Sequence, residues 1–296
     1  MNNRAIAEVR FARTVGLVER NRRRRRPPRM TAPRAIEREY TRWLLGQIRF
    51  MQGQVFALLM PELTSLWAGS PLAAFDAKDE LRLDGIFKTV SNIFKRIAET
   101  VLAASPNRLL EENSKKAGKK ASEHARKQLR RQFVSSLGID LYATDDEDAI
   151  EGFVEKNVKL IRSVQNQYLH EVEQTILEGL STGSTVEDLK DRLTPLVDDV
   201  GKKAERRAKV IANDQVGKLS QQINRHRQQS VGVKKFIWRT MGDNRVRDSH
   251  EDLDGQEFTW AEGANGLYPG DDIMCRCYAE PVIEIDALED NDNDED

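Results

Sequence analysis

The sequence predicts a mainly α protein in which long amphipathic helices are followed by a small C-terminal α+β unit. Three observations carry this. Charged residues make up 32% of the 296-residue chain and aromatic residues only 6%, a balance typical of long solvated helices rather than of sandwiches or barrels. Apolar residues recur every three or four positions through most of the chain before Gly232, which is the period of a helix buried on one face. After Gly232 the texture changes to short β-branched and aromatic runs separated by Gly, Pro and Asp turn signals.

Charge divides the chain further. The net charge of -1 conceals two opposed ends. Residues 1–34 carry eleven Arg, among them the run Arg22, Arg23, Arg24, Arg25, Arg26, against only Glu8 and Glu19, and read as a basic disordered arm. Residues 35–200 read as the helical region, 201–284 as the C-terminal unit, and 285–296 as an acidic tail. The five consecutive arginines are the candidate DNA-binding residues, since such a run attracts phosphates without reading sequence, by counterion release. The same attraction serves RNA or a membrane surface, although the run has no interleaved aromatics to stack bases. For the tail, solubility is the plain reading, with DNA mimicry or a basic partner as alternatives.

Only two cysteines occur, Cys275 and Cys277, so no disulfide framework can be built and a reducing compartment is expected. The least charged stretch, Phe50 to Phe75, is interrupted by Pro61, Glu62, Gly69 and Pro71 and cannot span a bilayer as a regular helix. The basic N-terminus precedes no signal-type apolar core. A soluble protein made in a cytoplasm is expected, with no membrane partner.

The elements follow in order. Thr31 and Pro33 supply a helix start, and Ile36, Tyr40, Leu44, Ile48, Met51, Val55 and Leu59 form its stripe. Pro61 to Pro71 is expected to break it. A second stripe, Leu83, Phe87, Val90, Phe94, Ile97 and Val101, ends near Ser105 and Pro106, which suit a new cap and first turn. Arg108 to Gly138 is helical by propensity but rich in Lys and Arg; it faces either DNA or, more plainly, solvent. Thr144 and Glu147 form a capping box for a long stripe from Ile150 to Leu180. Another helix reopens at Ser184 and Thr185, is expected to break at Pro195, and is followed by a charged helix from about Asp199 to Gln229. Strands are expected over Val233 to Met241, Gln256 to Trp260 and Met274 to Ile285.

Within this last unit polar residues crowd at a density that no helical or strand period explains: Trp238, Thr240, Asp243, Arg245, Arg247, His250, Asp254, Gly255, Pro269, Gly270, Cys275, Arg276 and Cys277. Turns and buried polar contacts explain it, because Arg forks satisfy carboxylates and carbonyls in a unit too small for a large apolar core. Trp238 and Arg247 are expected at its structural heart.

In these residues the chain resembles the Mu F-like phage head-morphogenesis family, whose signature runs W-x-T, D-x-R-V-R-x-x-H, L-D-G, P-G and C-x-C. The match covers roughly Ala204 to Pro281, and the resemblance makes residues 201–284 the head-morphogenesis domain. It implies a minor head protein of the virion that associates with the portal, with the major capsid or scaffold protein and the packaged double-stranded DNA as further contacts. It implies help in head assembly, DNA packaging or DNA delivery. No enzymatic activity and no cofactor are expected.

Two sharper readings concern His250. With Cys275 and Cys277 it supplies three soft ligands for a structural zinc, with Asp248 or Asp254 as a fourth; a hydrogen-bonded core histidine beside two buried thiols is the commoner arrangement. As a general base oriented by Asp243 or Asp248 it would serve a metal-dependent nuclease. The rest of the chain offers no phosphate loop, nucleophile elbow or second histidine at metal spacing to support that. His124, His170 and His226 lie in charged helical contexts and read as exposed bystanders.

Overall fold

The structure, a computed structural model, describes residues 27–68, 80–137, 146–181 and 186–282. Five long helices lead, α1 (Arg34–Ala68), α2 (Glu80–Ala104), α3 (Asn107–Leu137), α4 (Glu147–Ser181) and α5 (Val186–Ser230). They are followed by β1 (Lys235–Arg239), a one-turn helix α6 (Asp248–Glu251), β2 (Glu257–Thr259) and β3 (Tyr278–Val282). The mainly helical class with a small terminal sheet is as the sequence predicts. No described helix is long and apolar enough to cross a membrane. The run Arg22 to Arg26, Thr144 of the expected capping box and the acidic tail lie outside the described residues.

Both prolines expected to end helices sit inside them, Pro61 in α1 and Pro195 in α5. A proline in a helix frees the carbonyl four residues earlier and presses against it. Pro61 and Ala57 are both exposed, as are Pro195 and Asp191, so each proline lies on a solvent-facing side of its helix, where a freed carbonyl can be hydrated. The strand expected from Met274 begins only at Tyr278. Met274 has φ +61° and the Cys275 amide closes a turn on the Asp272 carbonyl, which removes residues 274–277 from any ladder.

The chain forms two compact units whose segments alternate in sequence. One comprises, of the described residues, 39–68, 80–114, 155–181 and 186–212. Here the α1 stripe predicted from Tyr40 to Leu59 is buried, as are Val90, Phe94, Ile97 and Val101 of α2 and Ile161, Tyr168, Val172 and Ile176 of α4. Each such side chain contributes about 1.5–3 kcal/mol on leaving water. The Tyr40 hydroxyl lies 2.8 Å from Ser114 Oγ and donates to Asn157 Oδ1, and burial pushes its pKa up to about 12. Arg162 ties down the α2–α3 link by donating to the Ser105 carbonyl and to Asn107 Oδ1.

The other unit gathers, of the described residues, 27–38, 115–137, 146–154 and 213–282. On the first half of its part of α3 the buried positions are small, Ala117, Gly118, Ala121 and Ala125, and beyond them Leu129 and Phe133 are buried too. A Cβ at Gly118 would come within 3.1 Å of Ile150 Cγ2, so α3 and α4 approach closely there. The cations of α3 point outward, with Lys116, Lys119, Arg126, Lys127 and Arg131 exposed. Asp146, just before α4, is buried and holds the buried Arg227 of α5 through both carboxylate oxygens, one of which also accepts from Ser122.

The sheet is antiparallel in the order β2-β1-β3, with Phe236 opposite Phe258 and Pro281, and Trp238 opposite Ala279. Alternation along β1 turns Phe236 and Trp238 inward. Arg239 turns the other way and is held by Glu280 at 2.8 Å. The core beneath combines Phe236, Trp238, Trp260, Cys275, Cys277 and Tyr278 with Leu129 and Phe133 of α3, and with Met30 from the segment before α1.

Candidate functional site

The site is built on the turns that link these short elements. The backbone of Trp238 is bracketed by the L-D-G turn: its amide donates to the Gln256 carbonyl and its carbonyl accepts from Gly255. Gly255 has φ +84°, a left-handed conformation that a side chain would strain. Asp254 Oδ1 accepts the Thr240 amide at 2.7 Å, so Thr240, Asp254 and Gly255 together seat the end of β1. Gly270, at φ +95°, leaves no room for a side chain, since a Cβ would stand 2.7 Å from Gln221.

Beneath these turns the one-turn helix α6 carries His250 into the core. Its ring is buried, and it meets Trp238 edge-on at 5.3 Å. Nε2 lies 3.0 Å from Asp272 Oδ2, while Nδ1 lies 3.6 Å from the sulfur of Cys275 and 3.6 Å from that of Cys277. Both thiols are free and buried. Hydrogen bonding with Cys277, helped by backbone amides of Cys277 and Gly270, holds the Cys275 thiol down to about 6, and the same partnership pushes Cys277 up. The indole N–H of Trp238 is buried without a well-formed hydrogen bond and lies near enough to the Cys277 sulfur to favour its ionised form.

A second group forms the rim. Arg276 donates to both oxygens of Asp243 at 2.6 Å, the Arg245 amide donates to Oδ1, and Arg34 approaches at 3.4 Å. The Arg276 hydrogen bond holds the Asp243 carboxyl below the usual carboxylate range. Arg247 lies on this surface rather than in the core, half-exposed, donating to the Ile273 carbonyl at 2.7 Å. Arg34, Arg38, Arg245, Arg247 and Arg276 line one cleft of about 300 Å³ together with Glu37. Burial raises the Glu37 pKa, and the surrounding arginines only partly offset it.

The structure therefore brings the sequence cluster together as two layers, a buried Trp-His-Cys-Cys group and an Arg-Asp rim. Several residues that hold it were missed. Asp272 orients His250, and Asp214 accepts the Met274 amide at 2.7 Å. Asn224 and Gln228 both donate to the Ala279 carbonyl. The last three share one buried face of α5 with Gln221 and Gly217 between them, and that polar stripe at helical spacing was the available signal. His124, expected to be a bystander, makes a 2.8 Å contact with the Thr31 carbonyl.

Residues 170–280 match the family described as Phage Mu protein F like protein. An uncharacterized protein of Haemophilus influenzae is 35% identical over 156 residues, which is 51% of this chain and 34% of that protein. The chain thus spans about a third of the length of this curated relative. No solved structure matches.

Proposed function

We propose that the protein is a minor head protein of a double-stranded DNA phage, made in the host cytoplasm and incorporated into the virion beside the portal. The observation that carries this is the Mu F-like match over residues 170–280, which coincides with the segment where the polar cluster is concentrated. The reading makes it an assembly component and not an enzyme. Head morphogenesis, DNA packaging or DNA delivery is the step it assists, with the portal as first partner and the major capsid or scaffold protein as further contacts. Co-expression with the portal protein encoded in the same phage genome tests it. Stable co-purification, and detection of the chain in purified heads, are expected; a chain absent from heads and indifferent to portal would overturn the reading.

A second reading is favoured by the arginine cleft. Five guanidinium groups around about 300 Å³ suit a phosphate group, and phosphate contacts of this kind position nucleic acid without reading its bases. In a head protein the corresponding ligand is the backbone of packaged DNA.

A further inference from the structure

We propose that His250 Nδ1, Cys275 Sγ and Cys277 Sγ together hold one zinc ion as a structural site of the C-terminal unit. The three atoms lie within 4.8 Å of one another, and all three residues are buried. With zinc–nitrogen bonds of about 2.0–2.1 Å and zinc–sulfur bonds of about 2.3 Å in a tetrahedron, nitrogen and sulfur stand roughly 3.6 Å apart. Both nitrogen–sulfur separations here are 3.6 Å. A hydrogen bond accounts for only one of them, because Nδ1 carries either one proton or one lone pair and serves one sulfur.

The surroundings repeat what metal sites require. Asp272 takes the Nε2 side of the ring at 3.0 Å. That places the proton on Nε2 and directs the Nδ1 lone pair at the two sulfurs, the outer carboxylate arrangement that orients a metal-bound histidine. The Trp238 indole N–H is buried with no hydrogen-bond partner, and its ring meets His250 edge-on at 5.3 Å. Both sulfurs bind the metal as thiolates, and any thiol proton still present passes to solvent.

Thiolate and imidazole ligands select zinc over the oxygen-seeking calcium and magnesium. Among the described residues no fourth Cys, His, Asp or Glu joins the cluster, so the fourth position falls to a water molecule. A small unit with a modest apolar core gains most from such a tie.

The test uses the full chain, purified without a metal-affinity tag and reduced with a phosphine. Elemental analysis is expected to find about one zinc per chain. Cobalt titrated into chelator-stripped protein should give thiolate-to-cobalt charge-transfer absorption and tetrahedral d–d bands, lost in Cys277→Ser. Should that variant fail to fold, Asp272→Asn, which keeps all three ligands, provides the second reading: its zinc affinity is expected to fall about 10–100-fold. Reduced wild-type protein with two titratable thiols, no zinc and no cobalt spectrum would overturn the proposal. Zinc bound equally well by Asp272→Asn and Cys277→Ser would do the same.

Discussion

Replacing Asp146 by Asn leaves the fold's shape almost unchanged but removes the charge opposite Arg227. Both side chains are nearly inaccessible, at 3% and 6% exposure, and Arg227 Nη1 already lacks a partner. The guanidinium is then left as an uncompensated buried cation, which destabilises by about 3–5 kcal/mol. With a urea m-value of about 2 kcal/mol/M, the unfolding midpoint falls by about 1.5–2.5 M. Tryptophan fluorescence reports it, since Trp238 and Trp260 belong to the same unit as the pair. The double variant Asp146→Leu/Arg227→Met, which removes both charges, is expected to recover most of the loss, because the penalty is that of the orphaned ion. If Asp146→Asn loses less than about 1 kcal/mol, the value of a solvated pair, or if the double variant is no better than the single, the burial argument is refuted.

Asp243 supplies a pH signature. Its pKa is lowered in the folded protein, chiefly by the Arg276 hydrogen bond, so its contribution is present above the unfolded pKa and is lost as pH falls through the folded value. Melting temperature measured from about pH 6 down to about pH 3 should therefore fall less steeply in Asp243→Asn than in the wild type. Glu37→Gln removes the acidic group lining the arginine cleft; filter binding should show tighter, still salt-sensitive retention of double-stranded DNA, and unchanged affinity would remove the cleft from the phosphate-binding reading.

What the sequence revealed of this architecture depended on periodicity. The stripe from Tyr40 to Leu59 is buried residue for residue because spacing alone decides which face of a helix meets the core. Pro61 and Pro195 misled because a proline's penalty depends on whether the freed carbonyl meets water, which is a property of the assembled surface. In the cluster, Trp238, His250, Cys275 and Cys277 stood out as residue types and do converge. Asp272 and Asp214 did not stand out, since an acidic residue in a charged chain carries no mark of the atom it will face. Nor does any local pattern announce that α3, α4 and α5 each supply residues to both compact units.

Met30 is part of the same core as Cys277 and Tyr278, and that has a consequence for how the protein is born. A ribosome adding about 5–20 residues per second needs roughly 12–50 s to travel between these positions. During that interval the early segment waits for partners that do not yet exist, while the helices of residues 39–114 and 155–212 emerge complete. The stretch from 170 to 280 that matches the Mu F-like family lacks Met30, Leu129 and Phe133 of its own core, so an excised copy should remain loose until those residues are returned to it, in cis or as separate peptides.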